Sequence, residues 1–383
     1  MKEGWEYKKL GEVATYINGF PFKPSDWGTD GLPIIRIQNL TGTQQLFNKC
    51  SRNDIPEKYI VRNGDVLISW SATLGVFEWK LDDAFLNQHI FKVVFDKVEI
   101  NKRYFEYAIL ISINIMSQQT NGATMKHIRK GDFDNIEIPV PPLSEQQRIV
   151  DYLDSAFAKI DAMKANAEKS LNEAKALFQA SLKEILEPKD GWEEKRLNEL
   201  SVISGNYGLS VPSTEFNGVR YLRITDITEW GELNDEKVSA KIEKGTEQEL
   251  LEDGDILFAR TGATVGKTLL YKEEFGDCLF AGYLIRYRLN KDIINPKFMF
   301  YITHSNTYYK WIFDNQKAAA QPNISAKLYN DYKVSYPSLS EQQRIVATLD
   351  SLKSKVDRLQ SNCEKISQEC DALKQAILRQ VFE

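Results

Sequence analysis

The chain has 383 residues, of which 42% are hydrophobic, 11% aromatic and 27% charged, with a formal net charge of −5; that length accommodates two or three domains with cores of their own. The acidic balance argues against a simple basic nucleic-acid binder. No apolar run approaches the roughly 20 residues a membrane helix needs, and Met1-Lys2-Glu3-Gly4 does not read as a signal peptide, so a cytoplasmic chain without a membrane partner is expected.

From the N-terminus, residues 1–142 alternate short β-branched and aromatic runs with turn signals: Leu32–Ile37, Asp65–Trp70 and Ile90–Phe95, with Asn63-Gly64 as a strong turn dipeptide before the second run. A helical pattern follows over 103–116. Polar and aromatic residues gather where the loops are expected: Arg36, Gln38 and Asn39; Ser69, Trp70, Ser71 and Thr73; and Gln119, Asn121, Thr124, Lys126 and His127. Arginine pairs with guanine edges, asparagine and glutamine with adenine, and threonine methyls touch thymine, so these are candidate DNA-reading residues; solvated turns are the alternative for each one.

Residues 143–187 form one long helical run. Pro141-Pro142 stops the incoming strand, and Ser144 with Gln147 has the spacing of a serine-x-x-glutamine capping box. Leu153, Ala156, Ile160, Met163 and Ala167, then Leu171, Ala174 and Phe178, mark its apolar stripe.

Residues 188–338 repeat the first pattern with Arg220–Ile224, Asp255–Arg260 and Leu284–Leu289, and Asp253-Gly254 in the turn position. Its candidate DNA-reading residues are Arg223, Thr225 and Asp226; Arg260, Thr261, Thr264 and Lys267; and Lys317, Gln321 and Asn323. Gly262 to Thr268 looks like a phosphate-binding loop, but Thr261 stands where that motif needs its first glycine, so a strand-turn-strand loop is expected. Residues 339–383 form the second long helix, with Ser340 and Gln343 in the capping positions. Leu349, Leu352, Val356, Leu359, Cys363, Ile366, Cys370, Leu373 and Ile377 fall 3 and 4 apart, as in a coiled-coil seam. Pairing the two helices with each other, antiparallel, is the simplest arrangement; pairing between molecules is the alternative.

The two parts are copies. Leu143-Ser144-Glu145-Gln146-Gln147-Arg148-Ile149-Val150 recurs letter for letter at 339–346, 196 positions on, and Gly4-Trp5-Glu6 returns as Gly191-Trp192-Glu193. The frame repeats while the contents between anchors differ. Each segment is near electrical neutrality: 17 basic and 17 acidic side chains in 1–142, 6 and 8 in 143–187, 19 and 22 in 188–338, 7 and 7 in 339–383. Because phosphate neutralisation supplies most non-specific DNA affinity, the chain alone is expected to bind DNA weakly. No constellation for catalysis is found: no HExxH, no GxSxG, no GxGxxG after a strand, and no Asn-Pro-Pro-aromatic tetrapeptide. The cysteines, Cys50, Cys278, Cys363 and Cys370, form no CxxC, and the histidines are scattered, so neither a zinc site nor a disulfide framework is expected.

The duplicated Leu-Ser-Glu-Gln-Gln-Arg-Ile-Val helix start, preceded by a proline-terminated strand, with Gly-Trp-x-x-Lys/Arg-x-Leu opening each half and Gly-Asp turns at 64–65 and 254–255, resembles the DNA specificity subunit of Type I restriction-modification systems. The likeness covers the whole chain. It implies an α+β fold: two homologous α/β target recognition domains (1–142 and 188–338) separated by two antiparallel coiled-coil spacer helices (143–187 and 339–383), with pseudo-two-fold symmetry. The implied role is non-catalytic selection of an asymmetric, bipartite double-stranded DNA target. The implied partners are two methyltransferase subunits and two restriction motor-nuclease subunits. S-adenosylmethionine, ATP and Mg are then expected only in those partners. Glu145, Gln146, Arg148, Glu341, Gln342 and Arg344 are the positions of the duplicated helix start that would meet a methyltransferase. A specificity subunit of a related Type II methyltransferase-nuclease system, and a coiled-coil scaffold without DNA reading, are the other readings.

Overall fold

A computed structural model describes residues 5–70, 74–119, 130–241, 250–316 and 322–382, with the side chains of 113–119 not among them. The chain divides into two compact units, one made of Met1–Ala167 with Glu364–Glu383 and the other of Glu168–Cys363. Each unit therefore holds a recognition-sized α+β body together with part of both long helices.

In the first unit a four-stranded antiparallel sheet runs in the order Thr15–Asn18, Ile90–Val94, Val66–Ser69, Gly75–Glu78. All four residues of Val66–Ser69 are buried, because this strand is covered on both faces. On one face the helix Lys102–Gln119 packs Tyr104, Phe105, Ala108 and Ile109 against Val66, Ile68, Phe91 and Val93. Asn101 caps that helix, its Oδ1 accepting from the N–H groups of Arg103 (2.9 Å) and Tyr104 (3.1 Å). The other face belongs to a second core around Ile35, Leu67, Leu86 and Trp79.

The second unit repeats this design with Ser201–Tyr207, Leu284–Leu289, Asp255–Ala259 and Thr268–Leu270, again antiparallel. The duplicated Gly-Asp turn has the same job in both. Gly64 and Gly254 sit at φ +85° and +92°, a region that favours glycine. The following aspartate then accepts from the backbone three residues back: Asp65 from Arg62 N–H at 2.8 Å and Asp255 from Glu252 N–H at 2.9 Å. The expected antiparallel sheets carry one addition, a parallel pair in each unit: Ile34 and Ile35 beside Phe85 and Leu86, and Arg220–Leu222 beside Cys278–Phe280. Gly262–Thr264 is a short helical turn before the strand Thr268–Leu270, as expected for a loop between strands.

The long helices span Leu143–Leu186 and Leu339–Phe382, 44 residues each. Within each unit they run antiparallel. In the first, Ile160, Asp161 and Lys164 meet Cys370, Lys374 and Asp371, and Leu153 shares a core with Leu378 and Phe382. In the second, Phe178 and Leu182 share a core with Ile345, Leu349, Leu352 and Val356. Near their ends the helices are thus walls of the domain cores. Burying a side chain such as Leu153 or Leu349 contributes about 2 kcal/mol.

Two expectations about these helices are corrected. Met163, Leu359 and Leu373 are exposed, so the apolar seam is not continuous; a 3.6-residue helix drifts off a 3.5-residue repeat unless supercoiling holds it. The caps also lie elsewhere. Helices starting at Leu143 and Leu339 put Ser144 and Ser340 one residue inside. In the second helix Ser338 occupies the cap and its Oγ accepts from Glu341 N–H at 3.4 Å. In the first, Pro142 stands there, its carbonyl accepting from the N–H groups of Glu145 and Gln146. Gln147 closes no box; its amide joins Asn101 (2.9 Å) and Asp151 (2.8 Å). No helix among the described residues is long and apolar enough to cross a membrane.

Candidate nucleic-acid interface

The parallel strand pair decides where the candidate arginines go. In each unit the first strand of the pair ends at an arginine that opens a short helical turn: Arg36 before Ile37–Leu40 and Arg223 before Ile224–Asp226. Next to it emerges the end of the central strand, Trp70 in the first unit and Arg260 in the second. The two are equivalent: Trp70 N–H donates to His89 O at 3.3 Å, and Arg260 N–H to Tyr283 O at 3.1 Å.

In the second unit Arg223, Thr225 and Arg260 line one cleft of about 660 Å³, walled by Leu209, Val211, Tyr221 and Tyr283. Thr261 pairs with Asn323 in an antiparallel bridge, flanked by Gly262 N–H to Pro322 O (3.0 Å) and Ile324 N–H to Arg260 O (2.9 Å). The fold thus brings Arg223, Thr225, Arg260, Thr261 and Asn323 to one end of the sheet, although more than 60 residues separate Thr261 from Asn323 in sequence. Thr264 turns inward, its hydroxyl donating to Thr261 O at 3.0 Å.

Two residues expected here take other roles. Asp226 is only 1% exposed. It accepts from Arg223 N–H at 2.8 Å and from the Arg223 guanidinium at 2.7 Å, so it positions that arginine instead of facing a ligand. The same hydrogen bond raises the Arg223 pKa further above its already high ordinary value. Lys267 lines a separate cleft of about 370 Å³ with Gln179, Glu229, His304 and Tyr309.

In the first unit Arg36 has Nη2 on Gln44 Oε1 (2.6 Å) and its guanidinium carbon 5.4 Å from the Trp27 ring centre. Asn39 braces this loop: Oδ1 accepts from Arg36 N–H, and Nδ2 donates to the carbonyls of Gln44 and Leu46. Its amide is spent, so the adenine-reading role expected for Asn39 is withdrawn. Ser69 is fully buried inside the central strand and is withdrawn likewise. Gln38 remains exposed. Trp70 is half-buried, stacked on Phe91 at 5.6 Å and tilted against His89 at 5.0 Å. Ser71, Thr73, Asn121, Thr124, Lys126, His127, Lys317, Gln321 and the side chain of Gln119 lie outside the described residues.

Sequence reasoning passed over Tyr283 (57% exposed) and Tyr207 (41% exposed). Tyr207 ends the strand Ser201–Tyr207 and Tyr283 stands in the turn before Leu284–Leu289, and an outward-facing tyrosine cannot be told from a core one by pattern alone. The one available signal was position: Tyr283 stands where the first half has His89.

The duplicated helix starts split into two kinds of residue. Gln146 (1% exposed) and Gln342 (0%) are buried. Gln146 accepts from Asn101 N–H at 2.8 Å and donates to Pro141 O at 2.7 Å; Gln342 accepts from Asn295 N–H at 2.7 Å and donates to Pro337 O at 2.8 Å. They staple helix to domain and are corrected from partner contacts to internal struts. Glu145 with Arg148 (2.8 Å) and Glu341 with Arg344 (2.6 Å) form surface pairs, and both arginines are exposed.

The family profile described as the Type I restriction modification DNA specificity domain matches twice, over residues 2–173 and 189–368. The specificity subunit of the Type I restriction enzyme EcoBI of Escherichia coli is 26% identical, across 100% of this chain and 86% of that protein. A chain solved for the complex assembly and conformational transition of a type I R-M system superposes with a TM-score of 0.76 at 20% identity, covering 100% of this chain and 98% of its own. The HsdS subunit from Thermoanaerobacter tengcongensis superposes with a TM-score of 0.56 at 20% identity, covering 100% and 97%.

Proposed function

Because the chain belongs to the Type I restriction modification DNA specificity family, we propose that it selects an asymmetric, bipartite double-stranded DNA target for a methylation and restriction complex. Each unit reads one half-site through the sheet end that carries Arg36 and Trp70, or Arg223 and Arg260. The observation that carries this reading is equivalence of position with difference of content. The backbone around Trp70 and Arg260 is the same, with its N–H on the carbonyl of His89 or Tyr283, while the side chains offered differ in shape and charge. Base identity is read by side-chain donors and acceptors. A duplicated frame with exchanged side chains therefore reads two different half-sites.

The chain itself performs no chemistry in this reading. Two methyltransferase subunits bring S-adenosylmethionine, and two motor-nuclease subunits use ATP and Mg. The Glu145–Arg148 and Glu341–Arg344 pairs, repeated on the exposed face of each helix start, are the proposed contacts for the methyltransferases. Near-neutral charge throughout fits non-specific grip supplied by those partners.

The test is methylome sequencing of cells that express this chain with its methyltransferase partner. A motif of two unlike halves at a fixed gap is the expected result. Methylation without a motif, or with two identical halves, would overturn the reading. Base-specific protection by the complex would exclude a scaffold without DNA reading.

A further inference from the structure

We infer, resting on that reading, that Arg260 reads a guanine in the half-site of the second unit, with Tyr207 setting the plane of its guanidinium. Two arginines face the cleft, and only one is available. Arg223 is taken up by carboxylates, with Nε and Nη2 on Asp226 and Nη2 also 3.1 Å from Glu236. Arg260 has no ion pair among the described residues, and its buried Nε has no partner.

Its position is held at several points. The N–H is fixed to Tyr283 O and the carbonyl to Ile324 N–H. The guanidinium carbon lies 4.9 Å from the centre of the Tyr207 ring, and Tyr207 is itself anchored, its hydroxyl accepting from Ala326 N–H at 2.9 Å. A planar, stacked, unneutralised guanidinium is organised for a planar pair of acceptors, and guanine O6 and N7 are such a pair.

A phosphate would also accept from it, but the first unit argues against that. Phosphate geometry does not depend on sequence, so a phosphate clamp would suit both halves alike. At the equivalent position the first unit has Trp70, whose indole stacks on Phe91. A residue exchanged within a common backbone suits a base that differs between half-sites.

The experiment uses the full chain with its methyltransferase partner, comparing wild type with Arg260→Met, which keeps length and stacking but no donors. Arg260→Lys keeps the charge without the two-pronged donor and covers the case in which Arg260→Met does not fold. Methylome sequencing, with binding to duplexes varied one base pair at a time, reads the result. We expect discrimination for one guanine in one half of the motif to fall about 10- to 100-fold in Arg260→Met. Arg260→Lys should lose part of that discrimination, and the other half should be unchanged in both. An unaltered motif overturns the inference. So does a uniform loss of affinity with no position relaxed, which is the signature of a phosphate contact or a purely structural role. A wild-type complex that methylates without any motif would instead overturn the underlying reading.

Discussion

At the residue scale, His304 lines the Lys267 cleft of the second unit, and its pKa is lowered from the ordinary histidine value. It is buried, stacked on Trp230 at 4.9 Å, and its Nδ1 lies 2.8 Å from Phe300 O. Burial pushes its pKa down to about 4. In the unfolded chain it titrates near 6.5. Above about pH 6.5 both states are neutral and the stability is whole. As pH falls towards 4 the unfolded state takes up a proton that the folded state refuses, so stability drops by about 3 kcal/mol, with no further loss from this group below that pH. Urea unfolding followed by tryptophan fluorescence should therefore show His304→Phe losing less stability than wild type between pH 7 and 4.5. Parallel pH curves for the two proteins would show that burial does not control this histidine.

At the scale of elements, the helix starts are where duplicated sequence has a mechanical meaning. Gln146 and Gln342 each satisfy a buried N–H and a buried carbonyl where a strand hands over to a long helix. Replacing Gln342 by leucine leaves Asn295 N–H and Pro337 O without partners in the interior and should cost about 2–3 kcal/mol. Gln146→Leu should cost about the same through Asn101 and Pro141. A change in denaturation midpoint worth less than about 0.5 kcal/mol would mean that water replaces the amide in full. The neighbouring surface pairs should behave in the opposite way. Exchanging charges at Glu145 and Arg148, and at Glu341 and Arg344, should alter stability by under about 1 kcal/mol yet weaken co-purification of the methyltransferase. Undiminished assembly in the fourfold variant would remove these residues from the proposed dock.

At the scale of the whole molecule, the two 44-residue helices belong to both units. If they set the gap between half-sites, adding four residues to each, after Ala167 and before Glu364, adds about 6 Å of helix. The methylated motif should then tolerate a gap longer by one or two base pairs, with both half-sites unchanged. An unaltered gap in an active complex would deny the helices a ruler role.

The duplication, the α+β class, the two long helices and the arginine that follows the first core strand of each half were legible in the sequence because they rest on local signals: turn dipeptides, period-two and period-3.6 patterning, and literal repetition. The cap position was not, because Ser338 and Ser340 are both plausible caps until the carbonyl geometry at Pro337 and Ser338 is known. Nor were the fates of identical residue types. Asn39 and Gln342 look as available as Gln38, and Asp226 looks like any turn aspartate. Only burial and the partners that the folded chain supplies decide that they are internal struts: Gln44 and Leu46 across the loop, Asn295 from a distant segment with Pro337 nearby, and Arg223 itself. The sequence by itself determined how many times the frame is built and where each element begins to form, since those depend on interactions within a few residues. Tertiary structure alone decided which polar side chains are used up inside and which, like Arg260, still have donors to offer. That depends on contacts between segments far apart in the chain.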